Sequence, residues 1–153
     1  MATLTRALSA DGSVMAMAID STDIVTRIEE IHHTSAVMTA ATGRLATAAS
    51  MMGLLLKGEG DSLTLRLDGG GPAGTIIAVS DSEGCVKAYA QNPVVELPLN
   101  DKGKLDVSGA VGKSGYLSVI KDLGLKEPYS GQTPIVSGEI AEDITNYYAT
   151  SEQ

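Results

Sequence analysis

Aromatic side chains are scarce in this sequence of 153 residues, which has no phenylalanine, no tryptophan and only five tyrosines. The interior of the folded chain must therefore be filled by Ala, Val, Ile, Leu and six methionines. Small side chains allow helices and strands to approach closely, and flexible methionine fills irregular gaps. A chain of this length can bury about 68–70% of its unfolded surface. We therefore predict one domain, spanning 1–153, with a core of small aliphatic side chains.

Cysteine is almost absent as well, because Cys85 is the single one. One thiol forms neither an internal disulfide nor a zinc site made of thiolates, and a low cysteine content is typical of the reducing cytoplasm. The sequence has no run of about 20 apolar residues and no basic, apolar leader, so we expect neither a membrane span nor a signal peptide. With 11 basic residues scattered among 19 acidic ones, the net charge of −8 disfavours nucleic-acid binding.

Glycine, by contrast, is abundant, and it is dense between two predicted strands, 63–67 and 75–79. Three of these glycines have the G-x-G-x-x-G spacing of a dinucleotide-binding loop. That loop requires a following helix, whose N-terminus holds the pyrophosphate, but the next segment is short and β-branched and predicts a strand. We predict a structural connection that shapes the sheet, and a nucleotide-binding domain is the alternative. The glycines of this connection are Gly69, Gly70, Gly71 and Gly74.

Hydrophobic periodicity and turn residues predict an α+β fold. Asp11-Gly12 is a two-residue turn between strands, Ser21 or Thr22 caps a helix with an isoleucine stripe, and Ser35 begins a longer, alanine-rich helix. We expect mostly antiparallel sheets of short strands, packed with two consecutive N-terminal helices and one C-terminal helix. The predicted elements are strands 3–10 and 13–19, helices 22–33 and 35–56, strands 63–67, 75–79 and 85–90, an extended segment 94–99, strands 105–111 and 116–120, a long loop or extended connection 124–134, and a helix capped by Ser137.

Catalytic and metal-binding patterns are weak in this chain. Segment 29–33 places two histidines beside two glutamates, but adjacent side chains on a helix diverge and the spacing H-E-x-x-H is absent. Segment 112–114, Gly-Lys-Ser, lacks the glycine that a P-loop needs at the position of Val107. Asp68 and Asp81 are candidates for a carboxylate pair across a hairpin, although aspartates commonly flank turns. We therefore expect no enzyme activity and no metal or cofactor in this chain.

A series of short segments, taken in order, covers nearly the whole chain and carries a family resemblance. The segments are Arg6-Ala7 with Asp11-Gly12, Ile31-His32 to Thr34-Ser35, Thr42-Gly43-Arg44-Leu45, Leu67-Asp68-Gly69-Gly70-Gly71-Pro72, Asn92-Pro93, Val111-Gly112 through Gly115-Tyr116-Leu117, Pro128-Tyr129-Ser130-Gly131-Gln132, Ser137-Gly138-Glu139-Ile140-Ala141-Glu142-Asp143, Tyr147-Tyr148 and Ser151-Glu152-Gln153. With these segments the chain resembles the N-terminal domain of the redox-regulated thirty-three-kilodalton heat-shock chaperone (chaperonin) family.

The resemblance implies an ATP-independent cytoplasmic chaperone, a holdase that binds unfolding client proteins during heat and oxidative stress. In that family a C-terminal zinc domain with C-x-C and C-x-x-C thiolates is the redox switch. Its oxidation releases zinc, forms disulfides and unfolds the neighbouring linker. This chain stops before the linker and the zinc domain, and Cys85 matches none of the four zinc cysteines. Zinc is therefore expected only in a full-length parent, and the domain over 1–153 is expected to be incomplete at its C-terminal end.

An incomplete domain leaves strand edges and apolar surface uncovered, and such surface favours pairing with a second copy. We therefore expect a homo-oligomer, a dimer that exchanges elements being one form, and unfolded client proteins as partners. A purely structural dimerisation fragment without activity is the alternative. The residues predicted for a client or dimer surface are Met51, Met52, Leu54, Tyr147 and Tyr148.

Overall fold

The structure is a computed structural model that describes residues 2–152. In this part of the chain, four helices accompany two antiparallel sheets, which confirms the predicted α+β class. No helix among these residues is long and apolar enough to cross a membrane. The elements are β1 (Thr3–Leu8), β2 (Met15–Asp20), α1 (Thr22–His32), α2 (Ala36–Gly53), β3 (Ser62–Asp68), β4 (Thr75–Asp81), β5 (Val86–Ala90), α3 (Val107–Val111), β6 (Tyr116–Asp122), β7 (Tyr129–Pro134) and α4 (Ala141–Ser151).

The larger sheet has the strand order β5-β4-β3-β6-β7, and the hairpin of β1 and β2 stands apart from it. Alternate residues of a strand point to the same face, so the leucines of β3 all lie on the buried side of the sheet. Leu65 lies opposite Ala78 on β4 and Val119 on β6, and all three are fully buried. Helices α2 and α4 pack against this sheet, and α3 packs against α2.

Helix α2 is the central helix, and its small side chains explain how a core without large aromatic residues is filled. Met38 and Leu45 are fully buried, and so are the alanines on the same side of the helix. At Gly43 the neighbouring helix α1 comes so close that a Cβ would lie 2.9 Å from Val25 Cγ2. The helix ends at Gly53, three residues before the predicted end.

The strand predicted over 105–111 is wrong, because residues Val107–Val111 form helix α3. Asp106 caps this helix, and its Oδ1 accepts a hydrogen bond from the Gly109 N–H at 3.0 Å. Val107, Ala110 and Val111 are buried together, which is the i, i+3, i+4 spacing of one helical face. In so short a segment this spacing is easily mistaken for a buried strand.

Two further differences lie near the C-terminus. Residues 129–134 form strand β7 where we predicted a long loop or an extended connection, and Pro134 is tolerated because β7 is an edge strand. The predicted cap at Ser137 is also wrong, since α4 begins at Ala141. The preceding turn is held by Asp143, whose carboxylate accepts hydrogen bonds from four backbone N–H groups between Val136 and Ile140.

Candidate functional site

The glycine-rich connection between β3 and β4 is hydrogen-bonded to the end of helix α3. The Gly71 N–H donates to the Val111 carbonyl at 3.0 Å, and the Ala73 N–H donates to the Ala110 carbonyl at 2.9 Å. A Cβ at Gly71 would lie 2.5 Å from the same Ala110 oxygen. Strand β4, not a helix, follows the glycines. Because these donors are used by the end of α3, the geometry favours a structural connection over a phosphate-binding loop.

The other motifs considered from the sequence do not form sites. Asp68 lies opposite Thr75 and Asp81 opposite Ser62, so the two aspartates stand at opposite ends of the β3–β4 hairpin. His33 is the left-handed C-cap of α1, with φ 52°. Its N–H donates to the Glu29 carbonyl at 2.8 Å. Within residues 2–152, no three His, Cys, Asp or Glu side chains are placed to bind a metal.

The predicted client or dimer residues do not form one patch. Met52 and Tyr147 are buried, with 5% and 0% of their surfaces exposed, so neither is accessible in the folded chain. Met51 lies in a groove between α1 and α4, whereas Leu54 lies in a different groove beside β5. Tyr148 is partly exposed on α4. Met52 and Tyr147 therefore belong to the core, and a contact of Met51, Leu54 or Tyr148 with a client or a second copy stays a prediction.

The groove beside β5 has a volume of about 980 Å³ and walls that are mainly apolar. Helix α1 forms one wall and strands β4 and β5 form the other, while the base of the β1–β2 hairpin closes one end. We call this feature the β5 groove. Its apolar lining consists of Leu4, Ile19, Ile24, Ile28, Ile31, Leu54, Ile77, Val79, Val86, Ala88 and Tyr89.

The β1–β2 hairpin extends this apolar surface away from the groove. In its register Leu4 pairs with Ile19 and Leu8 pairs with Met15, and directly opposite residues share one face of an antiparallel ribbon. Leu8 and Met15 are 68% and 44% exposed, while Leu4 and Ile19 line the β5 groove. Between these pairs, Arg6 pairs with Met17 on the same face, so the apolar strip that runs from the hairpin tip to the groove contains one arginine.

Charged side chains border the β5 groove. Arg27 on α1 forms an exposed ion pair with Glu30 at 3.5 Å, and Lys87 on β5 has no ion-pair partner among residues 2–152. Glu83 and the exposed thiol of Cys85 lie at the turn before β5. The groove thus offers an apolar floor with charges of both signs at its margin, which suits contact with polypeptide side chains.

A polar cluster fixes α4 on the opposite edge of the sheet. The Tyr129 and Tyr147 hydroxyls lie 3.2 Å apart, and the Tyr147 hydroxyl donates to Glu152 Oε1 at 3.1 Å. Lys121 contacts Glu152 and lies over the Tyr129 ring, 5.1 Å from its centroid. Burial raises the pKa of Tyr147 far above its ordinary value, and the hydrogen bond with Tyr129 adds to the rise. These contacts are structural, because every polar group of the cluster has a partner within it.

Comparison with known proteins gives one consistent result. The family model described as "Hsp33 protein" matches residues 2–153. The 33 kDa chaperonin of Agathobacter rectalis is 53% identical over 150 residues, which cover 98% of this chain and 52% of the relative. That of Clostridioides difficile is 53% identical over 148 residues, covering 97% and 51%. The crystal structure of the 33 kDa chaperonin of Thermotoga maritima matches with a TM-score of 0.93 and 41% identity, covering 98% of this chain and 51% of that one.

This chain spans about half the length of the relatives that it matches. The shared half includes the hairpin, the central helix and both sheets, since the match with the solved structure covers 98% of the chain. By sequence and by fold, the chain belongs to the Hsp33 family.

Proposed function

We propose that this chain is the core of an ATP-independent holdase, which binds unfolding proteins in the cytoplasm under heat or oxidative stress. The observation that carries the proposal is the uncovered apolar strip formed by the β5 groove and the hairpin. Large exposed apolar patches on a soluble protein mark interaction sites. The family assignment supports the same role, because the relatives are named chaperonins.

Binding would need no bond chemistry and no nucleotide. Each client side chain that leaves water for an apolar site contributes about 1.5–3 kcal/mol, so a few anchored side chains suffice for weak, reversible capture. Different clients fit such a surface because apolar contact is not directional. The charges of Arg27, Glu83 and Lys87 at the margin tolerate clients of either sign.

The zinc site that the resemblance implies does not fit the residues of this chain. A thiolate zinc site uses up to four cysteine ligands, whereas this sequence has only Cys85. That cysteine is exposed and belongs to no metal-binding group among residues 2–152. We assign no zinc or redox step to this chain, and redox control stays a proposal for a full-length protein.

A dimerisation scaffold is a second candidate, favoured by the hairpin of β1 and β2. Two strands alone are marginally stable in water, and this hairpin carries exposed Leu8 and Met15 on its apolar face. A second copy that covers this face would stabilise it. We therefore propose a homodimer in addition to client binding. Light scattering that gives a monomer mass across concentrations would remove the dimer and leave client binding untouched.

Aggregation of thermally unfolding citrate synthase, followed by light scattering, tests the holdase. The change is Val79→Lys, which places a charge in the β5 groove opposite Lys87, and Leu125→Lys is the control at an exposed leucine outside it. We expect the groove variant to need about tenfold more chain for equal suppression, since burying a charge against apolar walls is costly. The control should act like the unchanged chain. If the unchanged chain never suppresses aggregation, the proposed activity does not belong to it.

A further inference from the structure

Among residues 2–152, strand β5 is paired along one of its two edges, with β4. The Gln91 N–H donates to the Thr75 carbonyl at 2.9 Å, and the Asp81 N–H donates to the Cys85 carbonyl at 3.1 Å. Hydrogen-bonded pairs alternate along an antiparallel ladder, so the odd-numbered residues 85–91 direct their backbone groups toward β4. The backbone groups of the even-numbered residues, Val86, Ala88 and Ala90, point to the opposite edge.

This free edge lies along the β5 groove. Val86 and Ala88 line the groove, and no hydrogen bond to the free-edge backbone groups of Val86, Ala88 or Ala90 is present within residues 2–152. Ala88 and Ala90 are only 8% and 6% exposed. Backbone groups that are shielded from water and lack partners are destabilising. The edge is therefore short of the hydrogen bonds that an added strand would supply.

The other edge of the sheet, formed by β7, differs from β5 in exposure to water and in its backbone donors. The Ile135 N–H donates to the Gly115 carbonyl at 2.9 Å, so by the same alternation Ser130, Gln132 and Pro134 face outward from β7. Pro134 has no N–H to donate, and all three residues are exposed to water. Since water already satisfies this edge, it provides a matched internal control for β5.

We propose that β5 binds an extended client segment as an added antiparallel strand, a deepening that rests on the proposed holdase function. Main-chain hydrogen bonds to Val86, Ala88 and Ala90 provide the affinity, and pockets for alternate side chains provide the selection. Both faces of the segment meet the β5 groove, because residues from both faces of β5 line it. Side chains on one face lie beside Val86 and Ala88, and those on the other face lie beside Lys87 and Tyr89.

Charge decides which segments fit best. Lys87 stands in the middle of β5 and has no ion-pair partner among residues 2–152, and opposite charges on facing strands attract. A segment that alternates apolar residues with an acidic residue opposite Lys87 is therefore preferred. A lysine on a short edge strand also discourages pairing with a second copy of the same edge, so we assign this edge to clients and not to dimerisation.

The test uses a fluorescein-labelled peptide, TVTVEVT, in fluorescence anisotropy with the whole chain. In antiparallel pairing, its three valines lie opposite Ala90, Ala88 and Val86 with their backbone groups pointing to β5, and its glutamate lies opposite Lys87, while the threonine and glutamate backbones point away. N-methylation of the central valine removes one bond to β5, so we expect binding roughly tenfold weaker, from the lost hydrogen bond and the added methyl group. N-methylation of the preceding threonine should change the affinity less than about twofold. Equal effects of the two modifications, or no binding of TVTVEVT, would overturn the proposal.

Variants of the chain test the groups that β5 contributes to the same contacts. Ala88→Pro removes an edge N–H, and we expect it to weaken peptide binding, whereas Ser130→Pro on the β7 edge should not. If Ala88→Pro does not fold, Lys87→Glu still decides, because it should reverse the preference between TVTVEVT and TVTVKVT. An unchanged preference in Lys87→Glu contradicts the proposal. The proposal is also contradicted if the β5 edges of two copies pair with each other, seen as a dimer that Ala88→Pro dissociates.

The citrate synthase assay separates the two levels of the proposal. If the chain suppresses aggregation but its peptide affinity does not depend on the position of the N-methyl group, the holdase function is supported and strand addition is refuted. Peptide binding that depends on the N-methyl position, without suppression of aggregation, supports strand addition at β5 and removes the holdase activity from this chain.

Discussion

Asp143 is the residue whose replacement should most disturb the C-terminal part of the domain. It is almost completely buried. Its Oδ1 accepts from the N–H groups of Val136 at 2.7 Å and Ser137 at 3.0 Å, and its Oδ2 from those of Gly138 at 3.1 Å and Ile140 at 3.0 Å. One carboxylate thus satisfies four backbone donors in the turn that leads from β7 to α4.

The Asp143→Asn variant preserves size and removes half of this arrangement. The amide oxygen can still accept from two donors, but the amide NH₂ then faces the other two, which lose their acceptor. Each buried donor left unsatisfied costs about 1–3 kcal/mol. We therefore expect the free energy of unfolding to fall by about 3 kcal/mol, and the midpoint of thermal unfolding to fall by roughly 6–12 °C for a domain of this size.

Urea unfolding followed by circular dichroism measures this change, with Asp122→Asn as the control. Asp122 accepts one backbone N–H, that of Gly124 at 3.1 Å, in an exposed turn, so its replacement should cost no more than about 1 kcal/mol. If Asp143→Asn also lowers the free energy of unfolding by less than about 1 kcal/mol, the four hydrogen bonds do not hold the turn as we argue.

Two further predictions concern the sheet edge with α4 and the glycine-rich connection. Burial raises the pKa of Tyr147 above the ordinary value of 10.0, so the folded state keeps a proton that the unfolded state releases. Stability should therefore fall as the pH rises above about 10, and Tyr147→Phe should reduce that fall in urea titrations at several pH values. Gly71→Ala should lower the free energy of unfolding by about 2 kcal/mol or more, since its Cβ would lie 2.5 Å from the Ala110 oxygen, while saturating ATP or NAD should leave the melting midpoint unchanged.

Sequence patterns predicted those elements that are long enough to show a period. The isoleucine stripe of α1 and the alternating leucines of β3 repeat locally, and the structure confirms both elements. Asp11-Gly12 correctly marks a hairpin, but the connection is longer than the predicted two residues, because β1 ends at Leu8 and β2 begins at Met15. Helix α3 has five residues, too few to separate a helical period from a strand. The start of α4 depends on Asp143, whose carboxylate accepts hydrogen bonds from residues that precede it in the sequence.

The candidate site was not predictable in the same way. The β5 groove takes its walls from the hairpin, α1, α2, β4 and β5, and no local pattern states that these elements meet. Met52 and Tyr147 were candidates for a binding surface and are buried in the core, because an apolar residue in a sequence is equally suited to either place. What could have pointed to the groove is the outward position of Ile77 and Val79 on β4, since apolar residues on both faces of one strand indicate that both faces are contacted.

The scarcity of aromatic residues connects the fold with the proposed function. Because α2 is lined by alanine and glycine, it lies close to the sheet and to α1, and the core closes without large side chains. Some apolar side chains are not packed into this core, and Ile31, Val79 and Tyr89 are partly exposed around β5. An apolar surface next to an unpaired strand edge would normally promote aggregation. Here the strand is five residues long and carries Lys87, and both features oppose growth into an extended sheet when the proposed client segment is bound.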